Sequence, residues 1–145
     1  MNKVIITGAS SGIGEALANE YASKGYALGL IARRLDRLQA IKDRLAEQGT
    51  VVAIRALDVT DDQQILPTIE SIADELGGID IVIANAGITA VHRTGKDDFE
   101  INRQVIQINL ISAMATVDAA AHLFRRNQSS HGKSMGQIVG VSSVS

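Results

Sequence analysis

The sequence predicts an α/β fold built on a doubly wound parallel sheet, and three observations carry that expectation. Short, nearly continuous apolar runs of Val, Ile, Leu and Ala recur along the chain, as strands covered on both faces require. Between them the hydrophobic period changes to about 3.6 residues, that of an amphipathic helix. The two patterns alternate as β-α-β-α-β-α-β-α-β, which implies parallel strands joined by right-handed crossovers. A chain of 145 residues fits one domain, over 1–145, with a core of useful size.

The strands are expected at Val4–Thr7, Ala27–Ala32, Val51–Leu57, Ile79–Ala84 and Ile138–Val141. In the first helix Ile13, Leu17 and Tyr21 share a face, and Gly25 follows as a stop. Leu38, Ile41 and Leu45 repeat the pattern, with Asp36 as N-cap and Gly49 as the stop. Ile65, Ile69, Ile72 and Leu76 mark a third helix after the cap residues Thr60 and Asp61. Pro67 lies inside it, so either a kink or a late start is expected. The fourth helix, over 98–126, is the longest. Ile106, Leu110, Ala113, Val117, Ala120 and Phe124 line one face, and Ile101, Val105, Ile108, Ala115 and Ala119 a second. One face should cover the sheet; the other suggests a second subunit or a further element. The segment "RRNQSSHGKSMGQ" reads as a polar loop.

Composition narrows the function. With 46% hydrophobic and 21% charged residues, the chain reads as an ordinary globular protein. A net charge of −2 provides no field to attract nucleic acid or anionic lipid. Cysteine is absent, which excludes disulfides and thiolate chemistry. "MNKVIITG" lacks a secretory signal, and no apolar run nears the roughly 20 residues that span a bilayer. A cytoplasmic location is the expectation. His92, His122 and His131 lack metal-ligand spacing, and no G-x-S-x-G elbow supports a hydrolase triad. Arg125 and Arg126 suit a helix C-terminus better than a nucleic-acid patch, and "HRTGKDDFE" reads as a solvated loop.

The informative segment is "VIITGASSGIGEALANEY", where a strand gives way to glycines and small hydroxyl residues before a helix begins. Gly8 permits the tight turn, Gly12 lets a ligand approach the backbone, and Gly14 lets the helix pack close to the strand. Free amides at the helix N-terminus then face a phosphate.

With Thr7, Gly8, Gly12 and Gly14 in T-G-x-x-x-G-x-G spacing, the chain resembles the short-chain dehydrogenase/reductase family. Four further motifs fall in family order. The resemblance implies a Rossmann-like sheet, incomplete after its fifth strand, with Gly8, Ser10, Ser11, Gly12, Ile13 and Gly14 forming the cofactor loop. In "IARRLDRL", Ala32 stands where an acid would accept the ribose hydroxyls of NAD. Arg33 first, and Arg34 second, are expected to pair with a 2′-phosphate, so NADP is favoured over NAD. In "LDVT", Asp58 is expected to bind the adenine amine and the Val59 backbone to support the ring; Asp58 as a turn cap is an equally admissible role. "ANAG" places Asn85, Ala86 and Gly87 along the cofactor ribose, with Ala84 replacing the family's first Asn. "QVIQINLISAM" resembles the family segment whose Asn helps hold a water in a proton relay, and Asn109 fits it; an ordinary polar helix position is the alternative.

"GQIVGVSSVS" resembles the strand that delivers the catalytic Ser, matched by Ser143. A hydroxyl there can stabilise charge developing on a carbonyl oxygen. The family's Y-x-x-x-K finds no match, because Tyr21 and Tyr26 are the only tyrosines. Loss of a general acid/base lowers rates about 10²–10⁴-fold, so these 145 residues alone are expected to be inactive. Two functions stand. One is an NADP-dependent oxidoreductase acting on a small carbonyl or secondary alcohol, with a homo-oligomer contact through the helix over 98–126. The other is a non-catalytic dinucleotide-binding or regulatory module. No metal, nucleic-acid or membrane partner is expected.

Overall fold

The computed structural model describes residues 1–89, 99–131 and 136–142, the side chains of 127–131 excepted. Its strands are β1 (Lys3–Thr7), β2 (Ala27–Ala32), β3 (Val52–Ala56), β4 (Ile81–Ala84) and β5 (Gln137–Gly140). The helices are α1 (Gly12–Ser23), α2 (Leu35–Ala46), α3 (Ile65–Leu76), α4 (Phe99–Ile106) and α5 (Ser112–His131). All strand pairs are parallel, in one sheet of order β3-β2-β1-β4-β5. This is the doubly wound, Rossmann-like α/β fold.

Strand alternation sends successive side chains to opposite faces. Val4, Ile6, Leu28, Leu30 and Ile83 pack with Ala18 of α1 and with Leu38, Ile41 and Leu45 of α2. Ile5, Ile31, Ala53 and Val82 pack with Ile69 and Ile72 of α3 and with Ala120 and Leu123 of α5. Each Ile or Leu wholly removed from water in these layers contributes about 1.5–3 kcal/mol. Both faces of the sheet are therefore covered, which is why the strands read as unbroken apolar runs.

Several local expectations change. Ile13 is exposed; Gly14, Ala18 and Ala22 are the buried line of α1, with Leu17 and Tyr21 half-buried beside it. Small residues win this face because they let the helix come close to the sheet. Arg34, not Asp36, occupies the N-cap of α2, and Asp36 falls in the first turn, where its charge still complements the helix dipole. A short 3₁₀ turn, Asp62–Gln64, precedes α3. The late start thus places Pro67 in the first turn, where no intrahelical N–H is required. Gly25, Gly49 and Gly77 follow their helices with left-handed φ.

The long fourth helix is two α segments, α4 and α5, joined by a π turn over Gln107–Ile111. It runs on to His131, so 127–131, beyond the expected end of the helix, are helical rather than loop; no Gly or Pro interrupts them before Gly132. The expected face splits. Ala120 and Phe124 are buried, but Ile106, Leu110 and Val117 are exposed. The layer on the sheet is formed by Ala119, Ala120, Leu123 and Phe124, with Ile108 and Ala115 packed alongside, and Ser112 and Thr116 are buried as well. Among the described residues no helix is long and apolar enough to cross a membrane.

Candidate functional site

The connections leaving β1 and β4 diverge: β1 leads to β2 on one side and β4 to β5 on the other. A crevice opens at such a switch point, beyond the carboxyl ends of the strands. Gly8 turns the chain there with φ 68°, and its backbone lies against the 85–86 segment. A Cβ on Gly8 would come within 2.7 Å of Ala86 Cα. A Cβ on Gly14 would overlap Gly8 O and lie 2.7 Å from Asn85 Nδ2. Gly12 differs: its φ is 57° and no atom lies within 4 Å of where a Cβ would stand. Two glycines are thus required by protein contacts, while the third opens onto free space.

The amides of Gly12, Ile13 and Gly14 precede the first intrahelical bond, from Glu15 N–H to Ser11 O at 3.4 Å. Ser11 is the N-cap, in extended conformation, and its side chain makes no capping bond. The helix start therefore presents backbone donors and a partial positive charge toward the crevice. A phosphate-sized anion fits that combination of donors and room.

One buried hydroxyl organises the crevice floor. Thr7 Oγ1, 2% exposed, accepts the amides of Asn85 at 3.0 Å and Ala86 at 3.1 Å and donates to Ile83 O at 3.4 Å. Asn85 Nδ2 returns the contact, donating to Thr7 O at 3.0 Å and Gly8 O at 3.4 Å. Asn85 and Thr7 thus tie β4 to β1, and Ala84 contributes its carbonyl to Val141 N–H of the β5 side at 3.0 Å. Thr7 was legible as the first letter of the glycine motif, but its role as the common acceptor was not.

At the end of β2, Arg34 Nη2 donates to Ser11 Oγ at 2.9 Å and Ser10 Oγ at 3.3 Å. The guanidinium therefore stands against the glycine loop. Sequence distance concealed this pairing across 23 and 24 positions. The positive charge of Arg33 acts weakly on Asp58. Asp58 Oδ1 accepts the Thr60 amide at 3.0 Å and the Thr60 hydroxyl at 2.9 Å. The Thr60 amide chiefly, then its hydroxyl and the Arg33 charge, hold the Asp58 carboxyl below the usual carboxylate range, against an opposing push from partial burial. The turn-capping role of Asp58 is realised. Val59 lies in the core beside Ile65, 7% exposed.

Asn109 sits in the π turn. Its Oδ1 accepts Ile88 N–H and its Nδ2 donates to Ile88 O, both at 2.8 Å. Both amide atoms thus grip the segment that follows Asn85, Ala86 and Gly87. Tyr21 and Tyr26 stack edge to face at 5.0 Å between centroids, where α1 ends and β2 begins, at the opposite rim of the sheet. Ser143 and His92 lie outside the described residues, as does the side chain of His131. Among the described residues no cluster of His, Cys, Asp or Glu could hold a metal ion.

The family profile described as short chain dehydrogenase matches residues 2–145. An uncharacterized oxidoreductase of Mycobacterium tuberculosis is 37% identical over 144 residues, covering 98% of this chain and 57% of the relative. The crystal structure of a short-chain type dehydrogenase/reductase from Mycobacterium marinum superposes with TM-score 0.90 at 32% identity, covering 98% of this chain and 56% of that one. An alcohol dehydrogenase from the archaeon Thermococcus sibiricus, complexed with 5-hydroxy-NADP, gives TM-score 0.85 at 34% identity, covering 97% and 57%. The chain spans about half the length of the relatives it matches.

Proposed function

The chain belongs to the short-chain dehydrogenase/reductase family, and from that premise we propose that it is the NADP-binding part of an oxidoreductase acting on a small carbonyl or secondary alcohol. The observation that carries the reading is Arg34, held against Ser10 and Ser11 at the end of β2. A fixed cation and two hydroxyls beside the glycine loop suit an additional phosphate, and Ala32 brings no carboxylate to repel it. Arg34 thereby takes precedence over Arg33, because its guanidinium donates to both loop hydroxyls. The nucleotide complex of the Thermococcus sibiricus enzyme is consistent with this preference.

The bound dinucleotide would supply or accept hydride. The chain's own groups would hold it. Backbone amides of Gly12, Ile13 and Gly14 would receive the pyrophosphate, Asp58 and Val59 the adenine, and Asn85, Ala86 and Gly87 the ribose nearer the reacting end. Asn109 supports that last segment through Ile88. Ser143 would donate to the carbonyl oxygen, and neither tyrosine of the chain is placed to exchange its proton. The residues in hand therefore bind cofactor but turn over negligibly by themselves. The apolar face of α4 and α5 turned from the sheet would receive a second copy.

Fluorescence titration of the chain with NADPH and NADH tests this. NADPH should bind the more tightly. Arg34→Ala should weaken NADPH about ten- to hundredfold and leave NADH nearly unchanged. Equal affinities in the unmodified chain, or an NADPH preference surviving that change, would refute it.

A further inference from the structure

The geometry points to Ser112 as a positioning residue whose hydroxyl fixes the π turn and, through it, the grip of Asn109 on Ile88. A π turn holds one residue more than an α turn, so a carbonyl loses its usual amide partner. Here the Ser112 amide donates back to Gln107 O, leaving Ile108 O, its normal acceptor, to be satisfied otherwise. Ser112 Oγ does so, donating to Ile108 O at 2.5 Å. Serine often bonds the carbonyl four residues back in a regular helix; what differs is that the amide has been diverted.

Burial makes the substitution of hydroxyl for amide consequential. Ser112 and Thr116 are each 1% exposed, so solvent has little access to replace a lost donor. Thr116 Oγ1 donates to Ser112 O at 2.8 Å, continuing the side-chain support down the same buried face. Without the Ser112 hydroxyl, Ile108 O is best satisfied by recovering the Ser112 amide in a regular α turn. That expels the additional residue and rotates what precedes it by about 100° about the helix axis. Asn109 lies within the affected turn, and its two 2.8 Å bonds to Ile88 do not survive such a rotation. The 85–88 segment then loses its clamp on the helix side while keeping the Thr7 tie to β1.

The consequence for ligand binding rests on the proposed function, which places that segment at the reacting end of the dinucleotide. Ser112→Ala is therefore compared with the unmodified chain in calorimetric titrations with NADPH and with adenosine 2′,5′-bisphosphate, which lacks the reacting end. NADPH affinity should fall about tenfold and that of the bisphosphate should not change. Ser112→Thr, which keeps the hydroxyl, should restore NADPH binding. A general loss of structure would weaken both ligands together, and that result, or an unchanged NADPH affinity, overturns the assignment. Should Ser112→Ala not fold, Ser112→Cys keeps the volume with a weaker donor and carries the same expectation. Amide exchange at Ile88, without ligand, decides independently: it should accelerate in the variant relative to Ile5 of β1, and unaltered protection refutes the role. If the unmodified chain binds neither nucleotide, the NADP reading fails while the exchange result still decides this one.

Discussion

Thr7 shows how much one side chain can hold at the residue scale. Replacing it with valine preserves the volume but leaves the amides of Asn85 and Ala86 without their shared acceptor. An unpaired buried donor costs about 1–3 kcal/mol, so Thr7→Val should lower unfolding stability by that order in urea titration. Asp58 offers a second measurement. Its carboxyl is held below the ordinary value of 3.8 by Thr60 and Arg33, so the folded form prefers the charged state. The turn's contribution to stability is then fully present above that ordinary value and is lost as pH falls through the lower folded value. The Thr60 amide resonance should stay constant on descending from neutrality and shift only in that acid range; a shift centred near neutral pH would contradict the assigned cause.

The junction between β1 and α1 separates two uses of glycine at the scale of an element. Gly14 is forced by protein contacts and Gly12 is not. Gly12→Ala should destabilise the fold by only about 1–2 kcal/mol, the penalty of left-handed backbone for an ordinary residue, yet reduce dinucleotide binding severely by placing a methyl group in the cradle. Gly14→Ala should be the more destabilising of the two, because its Cβ meets Gly8 O and Asn85. Thermal unfolding and NADPH titration of both variants check the ordering. The strands and the stops at Gly25 and Gly49 were readable in sequence to within about two residues, because apolar runs and glycine carry local signals. The π turn was not. Its cause is a diverted amide and a buried hydroxyl, and neither alters the hydrophobic period enough to be seen.

At the scale of the whole molecule, the helix pair has one apolar face that is exposed among the described residues. Ile106, Leu110, Ile111, Met114 and Val117 are exposed, Met114 at 61%. Burying such a face between two copies would recover hydrophobic free energy in proportion to the area removed from water. If two copies pair through this face as proposed, Met114→Glu should shift sedimentation toward the monomer without lowering NADPH affinity; an unmodified chain that sediments as a monomer, or an oligomer unchanged by the substitution, would argue against this face as the contact. β5 adds a related feature, since it is the last strand in the sheet order and its Ile138 and Val139 are only half-buried. Edges of that kind invite pairing with further chain.

Local chemistry in the sequence determined the strand and helix succession, the glycine cradle and the pair of arginines after β2, because each is written in neighbouring residues. Only the tertiary structure decided that Arg34 rather than Arg33 meets Ser10 and Ser11, that Thr7 and Asn85 bind β1 to β4, and that Asn109 spends both amide atoms on Ile88. Those pairings join positions between 21 and 78 residues apart. Their partners are chosen by where the sheet order brings strand ends together, and no local pattern encodes that choice.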